Sequence, residues 1–129
     1  MATYLLDTNI IIDALNAKRD RNALLLGLAG QGNLLACCPV NVAEVYAGVR
    51  PKEEQHTAAL LRSLQLLPIT FEIAEMAGRL RQRHSRKGKT LSVADTIVAA
   101  VAIHYRLTLI TDNTRDFPMK ELSLFPFPN

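Results

Sequence analysis

Apolar and polar positions fall into blocks of two lengths along the chain. "TYLL" is an apolar run of strand length that stops on Asp7. "TNIIIDALNA" and "RNALLLGLAG" have the spacing and length of helices, separated by the polar stretch "KRDR" and closed by glycines. "LLACCPV" predicts the next strand, ended by Pro39. "NVAEVYAGV" begins a helix, and "EEQHTAALLRSL" forms another after Pro51. "LQLLPIT" is strand-like, with Pro68 placing it at an edge or a strand end. "FEIAEMAGRLRQRHSRKG" predicts a long amphipathic helix stopped by Gly88, and "SVADTIVAAVAIHYR" a helix so apolar that it belongs at the centre. "LTLIT" is a strand followed by the polar loop "DNTRD", and "LSLFPF" supplies a last strand. Strands alternating with helices predict an α/β fold layered around a mainly parallel sheet, in one domain spanning residues 1–129.

In such sheets ligands bind at the carboxyl ends of the strands. Asp7 ends the first strand, and Asp112, Asn113 and Asp116 follow another. An ionised Asp at the edge of a core is costly unless something pairs with it. Turn chemistry alone accounts for Asn and Asp in a loop, so the loop residues need no function to explain them. Asp13 is expected on the solvent side of the first helix.

Composition removes several classes. No apolar stretch approaches the roughly 18 residues that span a bilayer. No basic leader precedes Asp7, so neither a signal peptide nor a membrane is expected. The two cysteines, Cys37 and Cys38, are neighbours in a strand and point to opposite faces, which argues against a disulfide or a zinc site. Two free buried thiols suit a cytoplasmic protein. The net charge of +3 permits a polyanionic partner without requiring one. Its distribution is uneven: "RLRQRHSRKGK" carries Arg79, Arg81, Arg83, Arg86, Lys87 and Lys89 with no acid among them. A solvated helix end explains such a run, and so does a phosphate-contacting surface.

Two helix starts share one grammar. "NVAEV" and "SVADT" each place an acid, Glu44 or Asp95, three residues after a capping residue, Asn41 or Ser92. A capping box accounts for each acid singly. Asp95, however, opens the most apolar helix and has no basic neighbour in sequence. If Asp7, Glu44 and Asp95 meet at one sheet edge, their charges raise one another's pKa, and a hard divalent cation is the natural compensation. Carboxylates without His or Cys favour Mg²⁺, or Mn²⁺, over zinc.

These segments together, "LLDTNIIID", "NVAEVYAGV", "SVADTIVAAVA" and "LITDNTRDF", resemble PIN-domain ribonucleases, and more narrowly the VapC toxins of toxin–antitoxin pairs. The resemblance covers essentially the whole chain. It implies a three-layer α/β/α domain and Mg²⁺- or Mn²⁺-dependent cleavage of RNA (tRNA, rRNA or mRNA), leaving a 5′-phosphate and a 3′-hydroxyl. Asp7, Glu44 and Asp95 match the family's main acids, with Asp7 and Asp95 the direct metal ligands. Asp116 is the favoured fourth carboxylate and Asp112 the weaker candidate. Thr8, Asn9, Ser92 and Asn113 are supporting residues. Beside an acidic site, the run from Arg79 to Lys89 reads better as an RNA-backbone surface. The resemblance also implies a homodimer and a cognate antitoxin, whose helix would lie on the apolar first and second helices and whose Arg or Lys would compete for the acids.

Two rival readings are a phosphoryl-accepting Asp7 and a non-catalytic RNA- or protein-binding module of the same fold. The first expects an acid two residues after Asp7, where Asn9 stands. The second has little need of clustered carboxylates.

Overall fold

Strand β1 (Thr3–Leu6) lies at the middle of a five-stranded sheet in the computed structural model, which describes residues 1–127. The order is β3-β2-β1-β4-β5, and every pairing is parallel. β2 (Leu34–Cys37) pairs with β1 on one side, Leu5 opposite Ala36. β4 (Thr108–Ile110) pairs on the other, Leu6 opposite Ile110. β3 (Gln65–Leu66) and β5 (Ser123–Leu124) are two-residue edge strands. The expected "LQLLPIT" strand is thus shorter than its apolar run. Leu67 still donates its amide to the Cys37 carbonyl at 2.9 Å while its side chain packs in the core, and Pro68, which has no amide to donate, ends the ladder.

The helices are α1 (Thr8–Leu15), α2 (Arg21–Gly30), α3 (Pro39–Ala47), α4 (Glu54–Ser63), α5 (Phe71–Arg86) and α6 (Val93–His104). Alternation along the strands sorts them into two layers. Leu5, Ala36 and Leu109 pack with α5 and α6, while Leu6, Cys37 and Ile110 pack with α1, α2 and α4. The three-layer α/β/α architecture follows. α6 is the central helix its composition predicted, with Val98 through Ala102 all buried. Cys38 joins the α5–α6 side and Cys37 the other, both free, so adjacent thiols face opposite cores.

The chain runs outward from β1 through β2 to β3, then crosses back to add β4 and β5 on the far side. The switch point therefore lies between β1 and β4, where the loops leaving the two strands separate and open a crevice. Asp7 and Thr111, the residues immediately after these strands, flank it. Among the described residues no helix is long and apolar enough to cross a membrane.

Candidate active site

Asp7 is the N-cap of α1, with extended backbone and Oδ1 accepting from the Thr8 amide at 2.9 Å. Its Oδ2 accepts from Thr111 Oγ1 at 2.7 Å, across the switch point. Thr111 Oγ1 in turn accepts from the Asn113 amide at 3.0 Å. Asp7 is buried, and burial pushes its pKa above the ordinary carboxylate value. The two hydrogen bonds oppose that rise without cancelling it, and the charges of Glu44 and Asp116 add to it.

Asp95 lies in the first turn of α6, where the N-cap Ser92 accepts from the Asp95 amide at 3.0 Å. Its pKa is raised as well, first by burial and then by Asp7, Asp116 and Glu44, with Ser92 opposing. Four acids from four separate segments thus act on one another at the carboxyl edge of the sheet. Cys38 is within reach of the same field. Burial together with Glu44 and Asp7 pushes its thiol up, so it stays protonated and presents no soft ligand.

Glu44 departs from the expected capping role. α3 begins at Pro39, not at Asn41, because proline at the first helical position is pre-set for the turn and its missing amide is no loss there. Cys38 is therefore the N-cap. Asn41, fully buried at the third helical position, accepts from the Cys38 amide through Oδ1 at 2.9 Å. It donates through Nδ2 to Thr8 Oγ1 at 3.0 Å, and Thr8 Oγ1 donates to Glu44 Oε1 at 2.5 Å. With Asn41 closing the helix start, the exposed Glu44 carboxylate is available to the site.

Asp116 ends a 3-10 turn, Thr114–Asp116, anchored by the buried Phe117. Asn113 contributes its main chain to Thr111 and the turn, its carbonyl accepting from the Asp116 amide at 3.0 Å. Asp112 is engaged elsewhere, 2.6 Å from Arg21 and 3.5 Å from Arg19. Asn9 is exposed and lines a shallow cleft of about 330 Å³ with Asp13, Lys18 and Asp112.

The members of the basic run differ in their partners. Arg79 pairs with Glu75 at 2.8 Å and Arg83 with Glu121 at 3.0 Å. Arg81 donates to the Leu91 carbonyl at 2.8 Å, one residue before Ser92, which ties α5 to the start of α6. Arg86, Lys87 and Lys89 remain exposed at the end of α5. A sequence run shows no acid among these cations, but Glu75 lies one helical turn upstream and Glu121 returns from the far end of the chain.

Thr111 and Asn41 did not stand out in the sequence as site residues. Asn41 is one helical turn before Glu44 and therefore on its face, and Thr111 is the polar residue that ends "LTLIT". Both signals are weak without knowledge of the neighbouring strands.

A model of the PIN domain matches residues 4–121. The chain belongs to the PIN-domain family. Ribonuclease VapC19 of Mycobacterium tuberculosis is 32% identical over 115 residues, covering 89% of this chain and 92% of that one. Ribonuclease VapC2 of Rickettsia felis is 31% identical over 119 residues, covering 88% and 89%. The Rickettsia felis VapBC2 structure, bound to a DNA fragment from its promoter, superposes with TM-score 0.83 at 28% identity over 98% of this chain and 99% of that one. A toxin–antitoxin complex from Klebsiella pneumoniae gives 0.76 at 31% identity, covering 92% and 94%.

The donor set of this PIN domain fits a hard divalent cation. Its ligating atoms are carboxylate oxygens, two of them on acids that burial and mutual repulsion hold above their ordinary pKa. Among the described residues no three His, Cys, Asp or Glu side chains are grouped closely enough to hold a metal ion together. Mg²⁺ does not require such a group, since it keeps several waters and commonly takes one or two carboxylates. Asp7 and Asp95 would supply those two.

Two consequences are measurable. Because both pKa values are raised by folding, the stability the two acids contribute is fully present below the ordinary carboxylate pKa and is lost as pH rises through their folded values. In chelator, the protein should melt lower at about pH 8 than at about pH 5, and added Mg²⁺ should narrow the gap. Replacing Ser92 with Ala removes the N-cap of α6 and should cost about 1 kcal/mol in urea unfolding.

Proposed function

We propose that this PIN domain is a metal-dependent endoribonuclease and the toxin of a toxin–antitoxin pair. The observation that carries the reading is electrostatic. Asp7 sits buried and Asp95 half-buried at the switch point, both with raised pKa values and the charges of Glu44 and Asp116 beside them. No cation of the chain is paired with either, among the described residues. The relatives named as ribonucleases, and the structural likeness to toxin–antitoxin complexes, support the same reading.

A bound Mg²⁺ or Mn²⁺ supplies Lewis-acid polarisation of the phosphodiester and a more acidic water. The protein's own groups do the rest. The Thr8 amide and Thr111 hydroxyl fix both oxygens of Asp7, so the carboxylate presents a defined face. Asn41 and Thr8 hold Glu44 where it positions and accepts a proton from the attacking water, with Asp116 the alternative base. Ser92 fixes the turn that presents Asp95, and Asn9 and Asn113 line the cleft beside Asp112, next in sequence to the site. Arg86, Lys87 and Lys89 are the members of the basic run free to meet RNA phosphates. Arg81 acts by tying down Leu91, and Arg79 and Arg83 would have to leave acid partners to take part.

For the antitoxin, Ile10 and Ile11 of α1 lie in the core, whereas α2 leaves Leu26 74% exposed. Leu26, Leu34 and Leu60 border an apolar groove of about 600 Å³ between α2, α4 and the β2–β3 edge. A partner helix laid there is the proposed inhibitory contact, and a homodimer belongs to the same reading. Induced expression in bacteria tests it. Wild type should arrest growth, Asp95→Asn should not, and co-expression of the protein encoded beside it should restore growth. Arrest by Asp95→Asn equal to wild type would favour the non-catalytic module instead.

A further inference from the structure

Two features of the sequence have no role in the site so far: the polar stretch between α1 and α2, and Asp112. The structure joins them. Arg21, the first residue of α2, lies 2.6 Å through Nη2 from Asp112 Oδ1, and both side chains are largely buried, at 13% and 17% exposure. The Arg21 guanidinium also lies 4.4 Å from the centroid of the Phe127 ring, which roofs it from the chain's far end. Phe127 meets Phe125 edge-on, and Phe125 meets Tyr4 of β1 in the same way. Arg19 approaches the other Asp112 oxygen at 3.5 Å.

The segment that carries the two arginines is held in an unusual conformation. Ala17, Arg19 and Asp20 all have φ near +55°, a region that residues with a Cβ occupy mainly where surroundings over-determine them. The Asp112 carboxylate is what the segment's arginines grip. Asp112 in turn stands between Thr111, whose hydroxyl donates to Asp7, and Asn113, whose amide donates to that hydroxyl.

We propose that Arg21 and Asp112 are a positioning pair for the catalytic edge. Their ion pair, clamped under Phe127, holds the loop after β4 so that Thr111 keeps the Asp7 carboxylate in one orientation. Neither residue touches the reacting atoms. Buried pairs of this kind fix geometry well, because removing one partner leaves a charge with no compensation. The proposal rests on the catalytic reading of Asp7, but the geometry it asserts exists without metal or RNA.

The test uses Arg21→Lys, which keeps the charge and loses the planar stack, and Asp112→Asn, which keeps a hydrogen-bond acceptor. Amide hydrogen exchange in the metal-free protein reads the geometry directly. Protection of the Asn113 amide should fall by about 10-fold or more in both variants relative to the core amides of Leu109 and Ile110. Mn²⁺ binding, followed by the loss of the free-ion paramagnetic signal, should weaken by about 10- to 100-fold, the usual effect of removing a group that orients a ligand. Cleavage of RNA at saturating Mn²⁺ should recover more fully than at limiting Mn²⁺. A uniform drop in protection at every amide would show a merely structural pair and overturn the proposal, as would unchanged Asn113 protection. If either variant fails to fold, the other carries the same comparison. A wild type that cuts no RNA would sink the catalytic reading, while Asn113 protection would still decide whether the pair holds the loop.

Discussion

Asp7→Asn is expected to abolish RNA cleavage and, in the absence of metal, to raise the melting temperature. The two effects have one cause. Asp7 is buried at the point where Glu44 and Asp116 repel it, so the ionised form is unfavourable until a cation arrives. Asparagine has nearly the same shape and is as good an N-cap as aspartate, so the Thr8 amide keeps its acceptor. The Thr111 hydroxyl must turn to accept from the new amide, a small adjustment for a rotor. What disappears is the charge. Cleavage should fall by at least about 10³-fold, the scale on which removing one preorganised electrostatic group acts, and so below what a gel assay detects. The stabilisation should be largest at high pH and should shrink toward acid, where the native Asp7 is neutral as well. Stopped-flow or gel assays of cleavage, paired with thermal scans in chelator at two pH values, read both halves. A variant that loses activity and stability together would mean Asp7 is a structural cap.

Asn41→Ala is the second large effect and falls on stability first. Asn41 is fully buried, and its amide satisfies the Cys38 N–H on one side and Thr8 Oγ1 on the other. Alanine leaves a helix-start donor without a partner in a dry site, with an expected cost of about 2–3 kcal/mol. Thr8 also loses the donor that sets its hydroxyl, so Glu44 loses a fixed partner and cleavage should fall even where the variant is folded. Asn41→Asp separates the contributions. Its carboxylate can still accept from Cys38, but it adds a fifth negative charge beside Asp7 and Glu44. At about pH 8 it should be less stable than Asn41→Ala, and toward about pH 5 it should recover as the new acid protonates and donates to Thr8. Urea unfolding at the two pH values gives the order directly.

The fold was legible because strand and helix periods are long-range consistent in this chain. Runs such as "RNALLLGLAG" and "SVADTIVAAVAIHYR" admit little else, and the order of elements leaves few ways to build a parallel sheet. Asp7, Glu44, Asp95 and Asp116 could be singled out as candidates too, but only Asp7, at the end of β1, and Asp95, in the first turn of α6, stand where a strand ends or a helix begins. Their partners were not. The capping-box pattern misplaced the start of α3 because Pro39 serves equally as a strand stop and a first helical residue. Thr111 and Asn41 act across strands that are neighbours only in the folded sheet. The Arg79–Lys89 run looked uniform because its acids, Glu75 and Glu121, are supplied by helical spacing and by the distant end of the chain. Most of the apolar residues of α1 were expected in the core even with a partner on this face, and Ile10 and Ile11 are buried there. Local grammar located the acids; tertiary geometry decides what each one touches.

The acids at the β1–β4 switch point are proposed to form a metal-dependent RNA-cutting site. Its most direct test is incubation of the purified chain with a mixed pool of structured RNAs in Mg²⁺, in Mn²⁺ and in excess chelator, beside Asp7→Asn and Asp95→Asn. Cutting should require the metal, leave 5′-phosphate and 3′-hydroxyl ends, and be undetectable in both variants. Cutting that persists in chelator, or in either folded variant, would contradict that assignment.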